Sequence, residues 1–227
     1  MREARQAMID LLAEYSHLLW PALAKTLSIT GLAFGLGLAI ALLLTVTRFF
    51  APQPLPLASQ AYIDFFRGTP LLVQILLIYF GLPSLGVKLD AFTAATLAIG
   101  LNSGAYQAEI LRTAIKGIPE DQVLVAESMG LSRIQVYRYV VIPQALRNAL
   151  PGLTNEVVML LKESALASVI GVVELTRLGE YMTAATFRAF EAYLLVALIY
   201  LALSYALFRS LRRAERRFAI PGFERWA

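Results

Sequence analysis

Three features of this chain predict an all-α integral membrane protein with about five transmembrane helices. Hydrophobic residues make up 58% of its 227 residues and the mean hydropathy is +0.64, above what water-soluble domains carry. Between Lys25 and Arg48 lie 22 uncharged residues, Thr26 to Thr47, which at about 1.5 Å per residue cover a ~30 Å hydrocarbon core. Further apolar stretches recur after this one, parted by short polar or Pro-rich segments. Cysteine is absent and His17 is the single histidine, which excludes disulfides, thiolate or His-cluster metal sites and Cys nucleophiles. No cofactor and no metal are expected.

Residues 1–25 mix Ile9, Leu11, Leu12, Tyr15, Leu18 and Leu19 with Arg2, Arg5, Asp10 and Glu14, an amphipathic lead-in suited to the membrane interface. No compact apolar core here ends in a small-residue cleavage site, so a signal peptide is not expected. Span one, Thr26–Thr47, carries Gly31 and Gly35 in a G-x-x-x-G spacing that lets helices approach closely. Pro52, Pro54 and Pro56 make a stiff linker. Asp64 and Arg67, three apart, can pair on one helical face, and Gly68 and Pro70 then break the helix. Span two is expected from Pro70 to about Pro83, with Ser84–Asp90 turning the chain back.

Span three covers about Ala91 to Ala108, with Glu109, Arg112 and Lys116 at its exit. Asn102, Ser103 and Gln107 in its interior either bond to neighbouring helices or face a cavity. A polar-rich stretch follows, about 117–147, whose core is Leu124–Pro143. Gly130 breaks the helix formers of 121–129, Ser132 can cap a second helix, and Pro143 is expected to stop it. A short helix–turn–helix and an ordinary solvated loop are both open readings. Span four, Asn148–Val173, contains Glu156, Lys162 and Glu163. Charges at such depth are costly, and the two acids stand seven apart on one face. A polar connection over 172–188 leads to span five, Ala192–Phe208, and then to a basic tail ending in residues 221–227. That tail suits lipid head groups better than nucleic acid, because a transmembrane helix abuts it.

Orientation follows from charge. With the C-terminus inside, the segments 48–67, 109–149 and 209–227 hold 13 of the 20 Lys and Arg, and the outside segments hold 6. N-out, C-in is therefore favoured, which places the 117–147 loop in the cytoplasm. No G-x-x-x-x-G-K-[ST], G-x-S-x-G or H-E-x-x-H occurs, so an enzyme is not expected and any ATP hydrolysis belongs to another polypeptide.

Several strings resemble the membrane-spanning subunits of type I ABC importers, in particular the polar amino-acid uptake group. The most specific is Phe66 to Gln74, F-R-G-T-P-L-L-V-Q, joined by L-N-S-G-A-Y-Q-A-E from Leu101 and N-E-V-V-M-L-L-K-E-S from Asn155. The order Ala126, Gly130, Pro143 is similar to that family's EAA loop. Leu124 stands where the family usually has Glu and Val125 where it has the first Ala, while Glu127 lies near the face the missing Glu would occupy.

The resemblance covers about residues 26–220, the expected permease domain. It implies a multi-pass protein of a prokaryotic cytoplasmic (inner) membrane, paired with a second permease as homo- or heterodimer. It also implies two cytoplasmic ATP-binding cassette subunits and an extracytoplasmic amino-acid-binding protein. Ala126, Glu127, Ser128, Gly130 and Pro143 would then couple to the ATPase. For an amino-acid zwitterion, Glu156 and Glu163 can take the ammonium while Lys162, Asn102, Ser103 and Gln107 serve the carboxylate or shape the path, and two acids lean towards a basic side chain. Architectural pairing of these charges stays open. A self-sufficient ion-coupled carrier or channel using the same Glu/Lys cluster is the alternative reading.

Overall fold

The computed structural model describes residue 8 and residues 10–218, with side chains to 215. Arg2, Arg5 and Ile9 of the lead-in, the side chains of Arg216 and Arg217, and the 221–227 tail lie outside the described residues. Among the described residues every regular element is helical.

The first helix, α1 (Ser16–Phe50), runs 35 residues, about 52 Å, so it exceeds the hydrocarbon core. After a linker at 51–54, α2 (Leu55–Gly68) and α3 (Leu71–Leu76) follow, and α3 loosens into a π turn (Leu77–Gly81) and a 3₁₀ turn (Leu82–Leu85). Pro56 sits in the first turn of α2, where its missing N–H has no helical partner to lose, so the proline linker is shorter than expected. The expected span 70–83 is one arm of a bent pair, since Leu55–Gly68 and Leu71–Leu85 meet at 105°. Its 15 residues, about 22 Å, would not cross a bilayer alone.

The next helix, α4 (Ala91–Lys116), starts at Asp90, whose carboxylate accepts from Thr93 N at 3.1 Å and Thr93 Oγ1 at 2.5 Å. These bonds hold the Asp90 carboxyl below its ordinary pKa. Then come α5 (Glu120–Ser128), α6 (Arg133–Val136), a π turn (Tyr137–Val141), α7 (Ile142–Glu163), a 3₁₀ stretch (Ser164–Ile170), α8 (Leu175–Thr186) and α9 (Ala189–Phe218).

Pro143 does not stop the second helix of the loop, because the chain continues through it into α7. It occupies the first turn of α7, directly after the π turn, where the i→i−4 ladder is already interrupted and the ring displaces no bond. The polar 172–188 connection is largely helical, since α8 fills most of it. Buried Leu175, Leu178 and Met182 form its inner face, and Glu174 caps it.

Among the described residues two helices, α1 and Ala189–Glu215 of α9, are long and apolar enough to cross a membrane, and the bent pair makes a third if counted as one span. At 26 and 22 residues α4 and α7 are also long enough, but they carry polar side chains that face each other. A core of Ile29, Ala33, Ile75, Ala98, Ile99 and Leu160 joins α1, α3, α4 and α7. A second core around Leu11, Ala22, Leu175, Met182 and Leu195 ties the N-terminal segment to α8 and α9.

Close approach of α1 to α4 depends on glycines, but not on Gly31 and Gly35, where an added Cβ would meet nothing within 4 Å. A Cβ at Gly100 would lie 2.7 Å from Leu36, at Gly104 2.8 Å from Ile40, and at Gly37 2.7 Å from Gln107. The G-x-x-x-G that brings the helices together is therefore Gly100/Gly104 on α4, met by Gly37 across the contact.

Candidate functional site

On α4, Ser103 and Gln107 are one turn apart and fully buried, and Ser103 faces Glu156 of α7. Ser103 Oγ donates to Glu156 Oε1 at 2.6 Å. Gln107 Nε2 donates to Ser103 Oγ at 2.9 Å and to the Phe34 carbonyl of α1 at 3.2 Å, while its Oε1 has no hydrogen-bond partner among the described residues. A polar row thus runs from α1 through α4 to α7 in an otherwise apolar bundle. It offers a carboxylate, a hydroxyl and an orphaned amide oxygen, groups that can accept from an ammonium.

Asn102 does not join this row. One residue from Ser103 is a rotation of about 100°, so it faces the α2–α3 break instead. Its Nδ2 donates to the Phe66 carbonyl at 2.9 Å and to Gln74 Oε1 at 3.0 Å. Gln74 Nε2 in turn donates to the Phe66 carbonyl at 2.9 Å and to Thr69 Oγ1 at 2.8 Å. These bonds satisfy backbone groups that the break leaves without helical partners. Farther along α7, Glu163 is half-buried, whereas Lys162 is exposed and borders a surface groove of about 300 Å³ with Thr176, Tyr193 and Tyr200. Among the described residues Lys162 makes no ion pair within 4 Å.

Asp64 and Arg67 do not pair, although both lie on α2 three apart. Asp64 Oδ1 accepts from Gln60 Nε2 at 2.7 Å, and Arg67 turns towards Glu109 of α4 at 3.8 Å. Glu109 anchors a charge cluster, accepting from Arg48 at 2.5 Å and Arg112 at 2.6 Å, and Arg67 lies at its edge.

In the loop, Ala126 is buried with Ile118, Val136 and Val141 in a small core of its own. Gly130 takes a left-handed conformation, φ 87, which only glycine adopts without strain. Ser132 and Gln135 form a capping box at the start of the next helix, the Ser132 backbone N–H donating to Gln135 Oε1 at 2.8 Å. Gln144 Nε2 braces α7 to α5 through Gln122 Oε1 at 2.7 Å. Glu127 and Ser128 are exposed, and so are Leu124, Val125, Met129 and Ile134, large apolar groups that sequence reading did not assign.

Glu174 was also missed. It is fully buried and accepts from Thr176 N and Arg177 N at 2.8 Å and from Tyr200 OH at 2.7 Å. An acid immediately before a helical pattern, Glu174-Leu175-Thr176-Arg177, is the signal that could have found it. Among the described residues no group of three or more His, Cys, Asp or Glu could hold a metal ion.

Residues 35–220 match the family described as binding-protein-dependent transport system inner membrane component. The chain is 42% identical over 211 residues to the glutamine transport system permease protein GlnP of Escherichia coli (strain K12), covering 89% of this chain and 96% of that protein. It is 35% identical over 228 residues to the histidine/lysine/arginine/ornithine transport system permease protein HisM of the same strain, covering 93% and 96%. A solved structure described as an amino acid ABC transporter with histidines superposes with a TM-score of 0.87 at 41% identity, covering 91% of this chain and 96% of that one. A match running through nearly the whole helical bundle makes the chain a member of the binding-protein-dependent transport system inner membrane component family.

Proposed function

We propose that the chain is the membrane-spanning permease subunit of an ATP-driven importer of polar amino acids, in a prokaryotic cytoplasmic membrane. The observation that carries this reading is the near full-length relationship to permeases whose descriptions name amino-acid transport. The same relationship favours it over a self-sufficient ion-coupled carrier. ATP is hydrolysed on separate cassette subunits, and a binding protein delivers substrate from outside. A second permease, identical or not, completes the path. In this reading the chain crosses the membrane about five times, N-out and C-in, and the bent α2–α3 pair supplies the second crossing.

The 117–147 loop is the ATPase dock. Leu124, Val125, Met129 and Ile134 are exposed apolar groups on a segment with no lipid to cover them, and a protein groove would bury them. Ala126, Gly130 and Pro143 set the shape of this lever, with Glu127 and Ser128 on its exposed side. Nucleotide-driven closure of the cassette dimer draws two such loops together and tips the spans from inward- to outward-open.

Substrate passes the polar row. Glu156, Ser103 and Gln107 meet the zwitterion, Glu163 and Lys162 lie farther along α7, and Asn102 acts on the path by holding the α2–α3 break. Uptake by Glu156→Gln and Glu163→Gln variants that still assemble and hydrolyse ATP is the test. Lost uptake or altered amino-acid preference is expected. Unchanged uptake and preference in both would leave these acids a purely architectural role.

A further inference from the structure

Arg48 is the first charge after the uncharged run Thr26–Thr47, and Glu109 and Arg112 follow the apolar part of α4, so their cluster marks one edge of the hydrocarbon. Within it the acceptors are already committed. Glu109 Oε1 accepts from Arg48 Nη1 at 2.5 Å, and Glu109 Oε2 accepts from Arg112 Nε at 2.9 Å and Nη2 at 2.6 Å. Arg67 reaches the same oxygen only at 3.8 Å, too far for a hydrogen bond. The acid on its own helix, Asp64, is bonded by Gln60. Three guanidinium groups thus share the one carboxylate of Glu109, and Arg67 has the poorest share.

Arg67 is also the accessible one, its side chain 45% exposed against 17% for Arg48 and 29% for Arg112. Its guanidinium lies 5.3 Å from the centroid of the Tyr106 ring, which steadies it while leaving its N–H donors uncommitted. The two helices that meet at this corner also expose Leu57 and Phe65 on α2 and Val73 on α3, with Leu77 of the π turn beyond it. A cation with free donors at the hydrocarbon edge, flanked by exposed apolar side chains, fits a ligand with an anionic head and an apolar body.

We propose that the α2–α3 corner is a binding site for an anionic phospholipid, with Arg67 holding the headgroup phosphate. The guanidinium fork takes two phosphate oxygens, Arg112 and Arg48 add long-range attraction, and the acyl chains run along the exposed apolar groups of α2 and α3. Occupancy would fix the angle of the bent pair from outside, as Asn102 and Gln74 fix it from within.

The test is native mass spectrometry of the full purified chain in detergent, titrated with phosphatidylglycerol or phosphatidylcholine. Preferential retention of phosphatidylglycerol is expected. Arg67→Gln should weaken its first binding step about fivefold, the effect of about one cationic side chain at a charged lipid surface. Arg67→Lys, which keeps the charge but not the fork, should fall between wild type and Arg67→Gln. Equal binding of both lipids, wild-type phosphatidylglycerol binding by both Arg67 variants, or displacement of the lipid by an equal concentration of inorganic phosphate would each overturn the proposal.

Discussion

Replacing Gly37 by alanine perturbs the place where α1 and α4 come closest. The new methyl would lie 2.7 Å from Gln107 Nε2, 3.1 Å from Ser103 Cβ and 3.1 Å from the backbone nitrogen of Gly104. Gln107 can swing away only by giving up its bonds to Phe34 O and Ser103 Oγ, about 1 kcal/mol each. The Gly104 backbone cannot yield without moving α4. Overpacking of this kind costs about 1–3 kcal/mol, and the better helix propensity of alanine returns about 1 kcal/mol. A net loss of about 2 kcal/mol is expected, or a fall of about 4–8 °C in unfolding temperature. The assay is thermal unfolding of the purified chain beside Gly35→Ala, whose methyl meets nothing within 4 Å and should leave stability equal or higher. Uptake should fall with Gly37→Ala because Ser103 positions Glu156. A Gly37→Ala protein as stable and active as Gly35→Ala would refute the reasoning.

Charge reversal of Arg67 to Asp should not be rescued by Asp64→Arg, because these side chains face different partners, and recovered stability in the double variant would count against that geometry. Glu174→Ala removes the acceptor of two backbone N–H groups and the Tyr200 hydroxyl in a fully buried place, so stability should drop by about 3 kcal/mol in denaturant unfolding. A loss below about 1 kcal/mol would show those donors finding other partners. Gly130→Asp strains a left-handed turn in the exposed loop. It should leave membrane insertion intact and abolish ATPase association, and normal substrate-stimulated ATP hydrolysis would argue that the loop is not the dock.

The apolar character of α1 and α9 was legible in the sequence because an uncharged run of sufficient length has few other fates. The course of α3 was not, since Gly68 and Pro70 announce a break without giving its angle. For the glycines, spacing alone misled. Gly31/Gly35 and Gly100/Gly104 have the same period, and only the direction each pair faces decides which one holds a neighbouring helix. Ser103 and Gln107 could be grouped from their i,i+4 spacing, yet Asn102, a single residue away, belongs to another network. The Asp64–Arg67 pair satisfied the local rule and lost to Glu109, a residue far along the chain. Local spacing says which side chains can meet, and tertiary packing chooses among them. Glu174 escaped notice because its role depends on Tyr200, which no local pattern connects to it.

The account's central claim is that this chain is one subunit of an ATP-driven importer. Affinity purification of the full chain from its native membranes, with mass-spectrometric identification of what comes with it, tests this most directly. An ATP-binding cassette subunit is predicted to co-purify, together with a second permease copy or homologue. A chain recovered without any ATPase, and able in vesicles to accumulate an amino acid on a proton gradient alone, would contradict the claim.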